Sequence, residues 1–123
     1  MPKRDNRLEL GRKGERIAER ILISKGFQII RRNYRYGHFE VDLIAEDENL
    51  IVFVEVKTRS TKAFGNPEDF LSASQQKRLI EAANAFSFDY KPLKNIRFDI
   101  FSIVLTSNNE EVLHLEDAFW SCP

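Results

Sequence analysis

Residues Glu40 to Arg59 read EVDLIAEDENLIVFVEVKTR. Two apolar runs, Val41–Ala45 and Leu50–Val56, flank the polar tetrad Glu46-Asp47-Glu48-Asn49. Short runs rich in Val, Ile and Phe, bounded by turn-forming residues, predict two strands of an antiparallel hairpin. Strand side chains alternate faces with a period of two. Glu40, Asp42 and Ile44 therefore share one face, as do Ile51, Phe53, Glu55, Lys57 and Arg59. With the tetrad as the turn, Ala45 pairs with Leu50 and Asp42 lies opposite Phe53. Asp42 is then a diagonal neighbour of Glu55, with Lys57 next along. A one-residue slip would send Asp42 to the other face, so the reading depends on the turn.

Two carboxylates converging beside a lysine pose an electrostatic problem. Like charges that close repel, so one group takes a proton or a cation sits between them. Oxygen-only ligands suit a hard cation such as Mg²⁺ or Mn²⁺, and Mg²⁺ commonly joins one or two carboxylates to a phosphate. A neighbouring lysine can orient or deprotonate a water, or stabilise charge developing on a phosphate. The triplet Glu55-Val56-Lys57 carries no weight alone, because a chain with 12 Glu and 8 Lys contains about one Glu-x-Lys by chance. A strand-end lysine also protects a sheet edge, and an exposed Glu–Lys pair contributes little. The placement is what counts, since these charges continue apolar runs that a fold should bury.

At 123 residues the chain is the length of one domain, residues 1–123, and its 42% apolar content with ten Phe suffices for a core. The basic N-terminus lacks the apolar stretch of a signal peptide, and no run approaches membrane-span length. Cys122 is the only cysteine, which excludes an intrachain disulfide and a cysteine zinc site and fits a cytoplasmic location. Zero net charge hides an asymmetry: residues 1–35 hold 11 Lys and Arg against 4 Asp and Glu. Such a split suits an acidic partner such as nucleic acid, or two halves that neutralise each other in the fold. His38 and His114 have no metal-ligand spacing, and nucleotide-binding glycine loops and serine-hydrolase motifs are absent.

Before the hairpin, Arg7–Lys25 reads as a helix with an apolar stripe of Leu8, Ile17, Ala18, Ile21 and Leu22, and Gly26 fits its C-terminal cap. Glu15 falls on that stripe, a costly place for a carboxylate unless it is paired or metal-bound. Gly11 and Gly14 cost the helix about 1 kcal/mol each, so they suggest a close approach of another group. Phe27–Arg32 suits a strand. The following Asn33, Tyr34, Arg35 and Tyr36 read as nucleic-acid contacts or as an ordinary polar connection. After the hairpin come a loop over Ser60–Asp69, with Lys62 and Phe64 as possible contacts, and a helix capped by Ser72 or Ser74 and running to about Phe86. Its inward face includes Leu79, Ile80, Ala83 and Phe86, with Gln76 alongside. Strands at Ile96–Leu105 and Val112–Glu116 complete a mixed α/β sandwich around a central sheet. Asp99, inside a strand, reads as a buried structural partner in preference to a site acid.

In this order, the segments Gly11-x-x-Gly14-Glu15-x-x-Ala18, Arg32-Asn33-x-Arg35, Glu40-Val41-Asp42-Leu43-Ile44-Ala45, Phe53-Val54-Glu55-Val56-Lys57-Thr58-Arg59 and Phe64-Gly65-x-Pro67 resemble the PD-(D/E)XK nuclease superfamily. More closely, they resemble the YraN-like family of small bacterial proteins, related to archaeal-type Holliday junction resolvases. The resemblance implies a restriction-endonuclease-like core, a central mixed sheet flanked by helices. It implies a divalent ion, Mg²⁺ or Mn²⁺, on Asp42, Glu55 and the Val56 carbonyl. Glu15 would assist, Lys57 would activate water or stabilise charge, and Gln76 or Lys77 would fill a polar helix position. The expected nucleic-acid contacts are Arg12, Lys13, Arg32, Arg35, Arg59 and Lys77. The sequence departs from the pattern at Phe39, where the family usually has Gly, and at Val41, where the superfamily's name has Pro. The expected function is metal-dependent endonucleolytic cleavage of DNA, structured or branched, by a homodimer. The rivals are a nucleic-acid-binding module of the same fold without turnover and an assembly scaffold.

Overall fold

The computed structural model describes residues 3–61, 71–90 and 94–119, with side chains from residue 7 onward. Helix α1 (Lys3–Ser24) is followed by β1 (Gln28–Tyr36), β2 (Phe39–Glu46), β3 (Leu50–Arg59), α2 (Ala73–Asp89), β4 (Asn95–Leu105) and β5 (Glu110–Leu115). The strands form one sheet in the order β1-β2-β3-β4-β5. β3 and β4 are parallel and every other pair is antiparallel. A parallel pair needs a crossover, and α2 supplies it. The result is the expected α/β architecture, a mixed sheet flanked by helices and consistent with a restriction-endonuclease-like core. Most of the predicted Ser60–Asp69 loop, including Lys62 and Phe64, and also Cys122, lie outside the described residues.

The sheet is buried on both faces. Ile17, Ala18 and Leu22 of α1 pack with Leu43, Ala45, Val52, Val54, Phe101 and Ile103. Leu79, Ala82, Ala83 and Phe86 of α2 pack with Ile44, Ile51, Phe53 and Phe98. This explains why the central strands read as near-continuous apolar runs. The caps are those the residue types favour. Gly26 has φ +97, and the N–H groups of Gly26 and Phe27 donate to the carbonyls of Ile23 and Leu22, each at 3.0 Å, closing α1 in a Schellman motif. Ser72 and Gln75 bond each other reciprocally in a capping box at the start of α2.

Two expectations are corrected. The hairpin turn is shorter than the tetrad. Asp47 Oδ1 accepts the N–H groups of Asn49 and Leu50, each at 2.8 Å, and the Asp47 N–H donates to the Leu50 carbonyl at 3.0 Å. The acidic side chain thus folds the chain over a loop of Glu48 and Asn49. Ala45 pairs with Val52, not Leu50, and Leu43 with Val54. The shift is by two residues, so the paired residues Leu43–Glu46 keep their faces, while Val41 packs with Ile44 and not with Leu43 and Ala45. Asp42 moves level with Glu55 instead of diagonal to it. The second correction is β1, which continues through Tyr36, so Asn33–Tyr36 is strand and not a connection. Its ladder with β2 has a register shift between Ile29 and Arg31.

Gly14 explains itself by contact. A Cβ on it would lie 1.9 Å from Thr58 Oγ1 and 2.9 Å from Thr58 Cβ, whereas one on Gly11 meets nothing within 4 Å. Only a glycine lets α1 press against the end of β3. Gly14→Ala is therefore expected to destabilise by about 1–3 kcal/mol despite better helix propensity, because it overpacks this contact. Gly11→Ala is expected to stabilise by about 0.5–1 kcal/mol. Chemical denaturation of the two variants checks the opposite signs.

Candidate active site

Asp42 and Glu55 are half-buried on adjacent strands. The regular β2–β3 ladder extends from Glu46↔Ile51 to Leu43↔Val54. At the next position the Val56 N–H donates to the Asp42 carboxylate at 2.7 Å. The side chain of Asp42 takes the place of a backbone acceptor, and its carboxyl meets that of Glu55. Burial, then the Glu55 charge, pushes the Asp42 carboxyl up to about 8, against the pull of the Val56 N–H. Burial also raises Glu55, opposed by Asp42 and by Lys57. Lys57 Nζ lies 3.5 Å from Glu55 Oε2, with 23% of its own side chain exposed and 13% of that of Glu55. Glu55 Oε1 is buried and has no hydrogen-bond partner among the described residues.

Glu15 approaches from α1. Burial raises its pKa, the Asp42 charge adds to that, and a hydrogen bond from Asn33 pulls it back. Asn33 Nδ2 also donates to Glu40 Oε1 at 3.4 Å, and Arg35 stands 3.6 Å from that same carboxylate. The structure thus gathers Glu15, Asp42, Glu55 and Lys57 at one end of the hairpin. It does not join Gln76 to them: the Gln76 amide donates to the Leu71 carbonyl at 3.1 Å, and Lys77 is exposed on α2. Among the described residues, no three His, Cys, Asp or Glu side chains form a ready-made metal cage.

The cationic candidates divide. Arg12 and Lys13 are exposed on α1, and Arg59 is half-buried at the end of β3. Arg32 is engaged by Glu19, and Arg35 by Glu40. A separate concavity of about 580 Å³ opens at the turn end of the hairpin, beside Lys25, Glu46 and Lys94. Of the carboxylates lining it, Glu46 is satisfied by the Tyr90 hydroxyl at 2.6 Å and by Lys94 at 3.0 Å, and Asp47 accepts the N–H groups of the turn.

The model of the uncharacterised protein family UPF0102 matches residues 14–103. The chain belongs to this family. UPF0102 proteins of Christiangramia forsetii and Chloroherpeton thalassium are each 41% identical to it, covering 91% and 92% of this chain and 94% and 95% of their own length. The UPF0102 protein of Natranaerobius thermophilus is 41% identical over 93% of this chain and 99% of its own. This is the YraN family to which the motifs pointed. The span matched by the UPF0102 model includes Gly14, Glu15, Asn33, Asp42, Glu55, Lys57 and Gln76.

Asn33 and Glu40 are the members of the site that residue-type reasoning passed over. The usable signal was Asn33 itself, because Asn is among the few residues that tolerate a left-handed backbone. Among the described residues no helix is long and apolar enough to cross a membrane.

Proposed function

We propose that this UPF0102 protein is a metal-dependent endonuclease that hydrolyses phosphodiester bonds in DNA, with structured or branched DNA as the substrate. The observation that carries this reading is the Asp42–Glu55 carboxyl pair, forced together on adjacent strands with Lys57 3.5 Å from Glu55. Both carboxyls have raised pKa values, and Glu55 Oε1 is buried without a partner. Asp42 therefore holds, at neutral pH, a proton that a cation can displace, and Glu55 Oε1 has no hydrogen-bond partner among the described residues. An all-oxygen donor set of this kind fits Mg²⁺ or Mn²⁺, with Asp42, Glu55 and the Val56 carbonyl as ligands and Glu15 assisting. Two or three protein ligands suffice for Mg²⁺, which keeps several waters. Bound there, the ion would supply Lewis-acid polarisation of the phosphodiester and a lowered water pKa.

The chain's own residues divide the remaining work. Asp42, held by the Val56 N–H, and Glu55, held by Lys57, would hold the cation between them. Lys57 is close enough to the carboxyl pair to orient an attacking water or to offset charge developing on the phosphate. Exposed Arg12 and Lys13, with Arg59 and Lys77, supply backbone contacts to DNA. Arg32 and Arg35 would exchange Glu19 and Glu40 for phosphates. A homodimer accords with the symmetry of the branched DNA that the resemblance implies.

The test is calorimetric titration of Mn²⁺ into wild type and Asp42→Asn, with circular dichroism establishing that both are folded. Binding in wild type and loss in the variant are expected, followed by cleavage of branched or flapped DNA. Salt-sensitive DNA binding that ignores Glu55→Gln, with no cleavage in Mn²⁺, would leave a binding module instead.

The same variant makes a prediction about metal-free protein. The folded Asp42 carboxyl, at about 8, binds its proton more tightly than an unfolded one near 3.8. Its stability contribution is therefore best below the ordinary carboxylate range and declines as pH rises from about 4 to about 8. An amide oxygen at position 42 can still accept the Val56 N–H. Metal-free Asp42→Asn is expected to be about 1–2 kcal/mol more stable than wild type at pH 8, with the advantage vanishing toward pH 4. Thermal unfolding across that range checks it.

A further inference from the structure

We propose that Asn33 is a positioning residue: its carboxamide holds Glu15 and Glu40 in place beside Asp42. The proposal deepens the metal-site reading, since Glu15 is the carboxylate from α1 that would assist Asp42 and Glu55. Its starting point is a backbone anomaly. Asn33 has φ +53 inside β1, and Asp117, in a turn, is the other described non-glycine residue with positive φ. Left-handed geometry inside a strand costs energy and persists only where the surroundings enforce it.

The anomaly falls at the level of the site. Arg32 pairs with Leu43 and Tyr34 with Val41, so Asn33 stands across from Asp42, at the one step missing from that part of the ladder. On the other side of β2, regular pairing with β3 ends at Leu43↔Val54, one step short of Asp42. β2 is thus released from regular pairing on both sides at the residue whose carboxyl meets Glu55. The left-handed turn of Asn33 brings its amide to two carboxylates of separate elements. Nδ2 donates to Glu40 at 3.4 Å, and the same side chain stands close enough to Glu15 of α1 to lower its pKa.

The residue type fits this task. Glu15 is repelled by both Asp42 and Glu40. An unanchored Glu15 would swing toward solvent. A lysine or arginine at position 33 would hold it but also neutralise the charge that a cation needs. A carboxamide donates hydrogen bonds with no net charge, so it fixes the carboxylates and leaves their charge intact. Residues that orient metal ligands commonly alter metal affinity by 10–100-fold when lost.

Asn33→Gly separates this role from a purely conformational one, because glycine accepts the positive φ and lacks the amide. Its melting temperature should stay near wild type, while Mn²⁺ affinity by calorimetry falls about tenfold. Combining it with Glu15→Gln should weaken Mn²⁺ little more than either change alone, since both act through one carboxylate. In metal-free protein at fixed pH, the side-chain carboxyl ¹³C resonances of Glu15 and Glu40 should move in Asn33→Gly. Wild-type Mn²⁺ affinity with unmoved glutamate resonances would overturn the proposal, leaving Asn33 as a left-handed strand residue. Were wild type to bind no Mn²⁺, the metal reading would fall, and the metal-free spectra alone would decide whether Asn33 holds the two glutamates.

Discussion

Lys57→Ala is expected to reduce Mn²⁺-dependent cleavage of branched DNA by about 10²–10⁴-fold, the range spanned by loss of one general acid–base or charge-stabilising group. The fold should survive, for a reason the site itself supplies. Lys57 is partly exposed, and its described partner is Glu55 at 3.5 Å. Burial already raises the Glu55 carboxyl, and Lys57 is among the groups opposing that rise. Removing the ammonium lets Glu55 or Asp42 take a proton, so no uncompensated charge is stranded. Under the proposed nuclease reading, catalysis would have no such relief, because a protonated carboxyl is a poor ligand and the ammonium that would offset phosphate charge is gone. Lys57→Arg should recover little, since a guanidinium spreads its charge over a rigid plane and cannot act as a base at neutral pH. The measurement is cleavage rate at saturating Mn²⁺ beside a circular dichroism melt. Undiminished cleavage in a folded Lys57→Ala would remove the lysine from the mechanism.

Much of this site was legible in the sequence because strand alternation is a geometric constant. Asp42, Glu55 and Lys57 continue apolar runs, and a register error of two residues left the faces of the paired residues Leu43–Glu46 intact. The error arose because four consecutive polar residues look like four turn residues. Asp47 folds its side chain onto the N–H groups of Asn49 and Leu50, which shortens the loop without a glycine to advertise it. β1 was truncated for the opposite reason. Its second half, Arg-Asn-Tyr-Arg-Tyr, is polar and aromatic because it lies at a sheet edge, so it carries no apolar alternation. The convergence of Glu15 with Asp42 is tertiary. It rests on Gly14 permitting α1 to approach Thr58, a contact that sequence registers only as two unexplained helix glycines. Gln76 looked suitable because it shares the inward face of α2, yet its amide is spent on the Leu71 carbonyl at the start of that helix.

Asp99→Ala should produce the largest loss of stability of any single side chain discussed, about 3–5 kcal/mol. Asp99 is fully buried. Arg97 grips it with two bonds of 2.9 Å, His114 Nε2 lies 2.7 Å away, and the Asp117 N–H donates to it at 3.0 Å. Burial alone would raise its pKa, but the bonds from His114 and Arg97 outweigh burial and hold it below the ordinary carboxylate value. His114 Nδ1 stands 2.8 Å from Lys25 Nζ, and an ammonium can only donate. The ring therefore carries its proton on Nε2 and gives it to Asp99. One carboxylate thus ties β4, β5, the turn after β5 and the end of α1. Deleting it strands Arg97, His114 and a backbone N–H at once. The sign of the pH dependence is opposite to that of Asp42. A depressed folded pKa means that the stabilisation is present above the unfolded value near 3.8 and is lost as pH falls below it. Wild type and Asp99→Ala should therefore differ most at neutral pH and converge in acid. Denaturant unfolding at pH 7 and pH 3 measures both. An equal gap at the two values would mean that Asp99 contributes by packing and not by charge. Asp42 and Asp99 thus put one residue type to opposite uses: the groups around Asp99 hold it ionised, and the surroundings of Asp42 hold a proton on it.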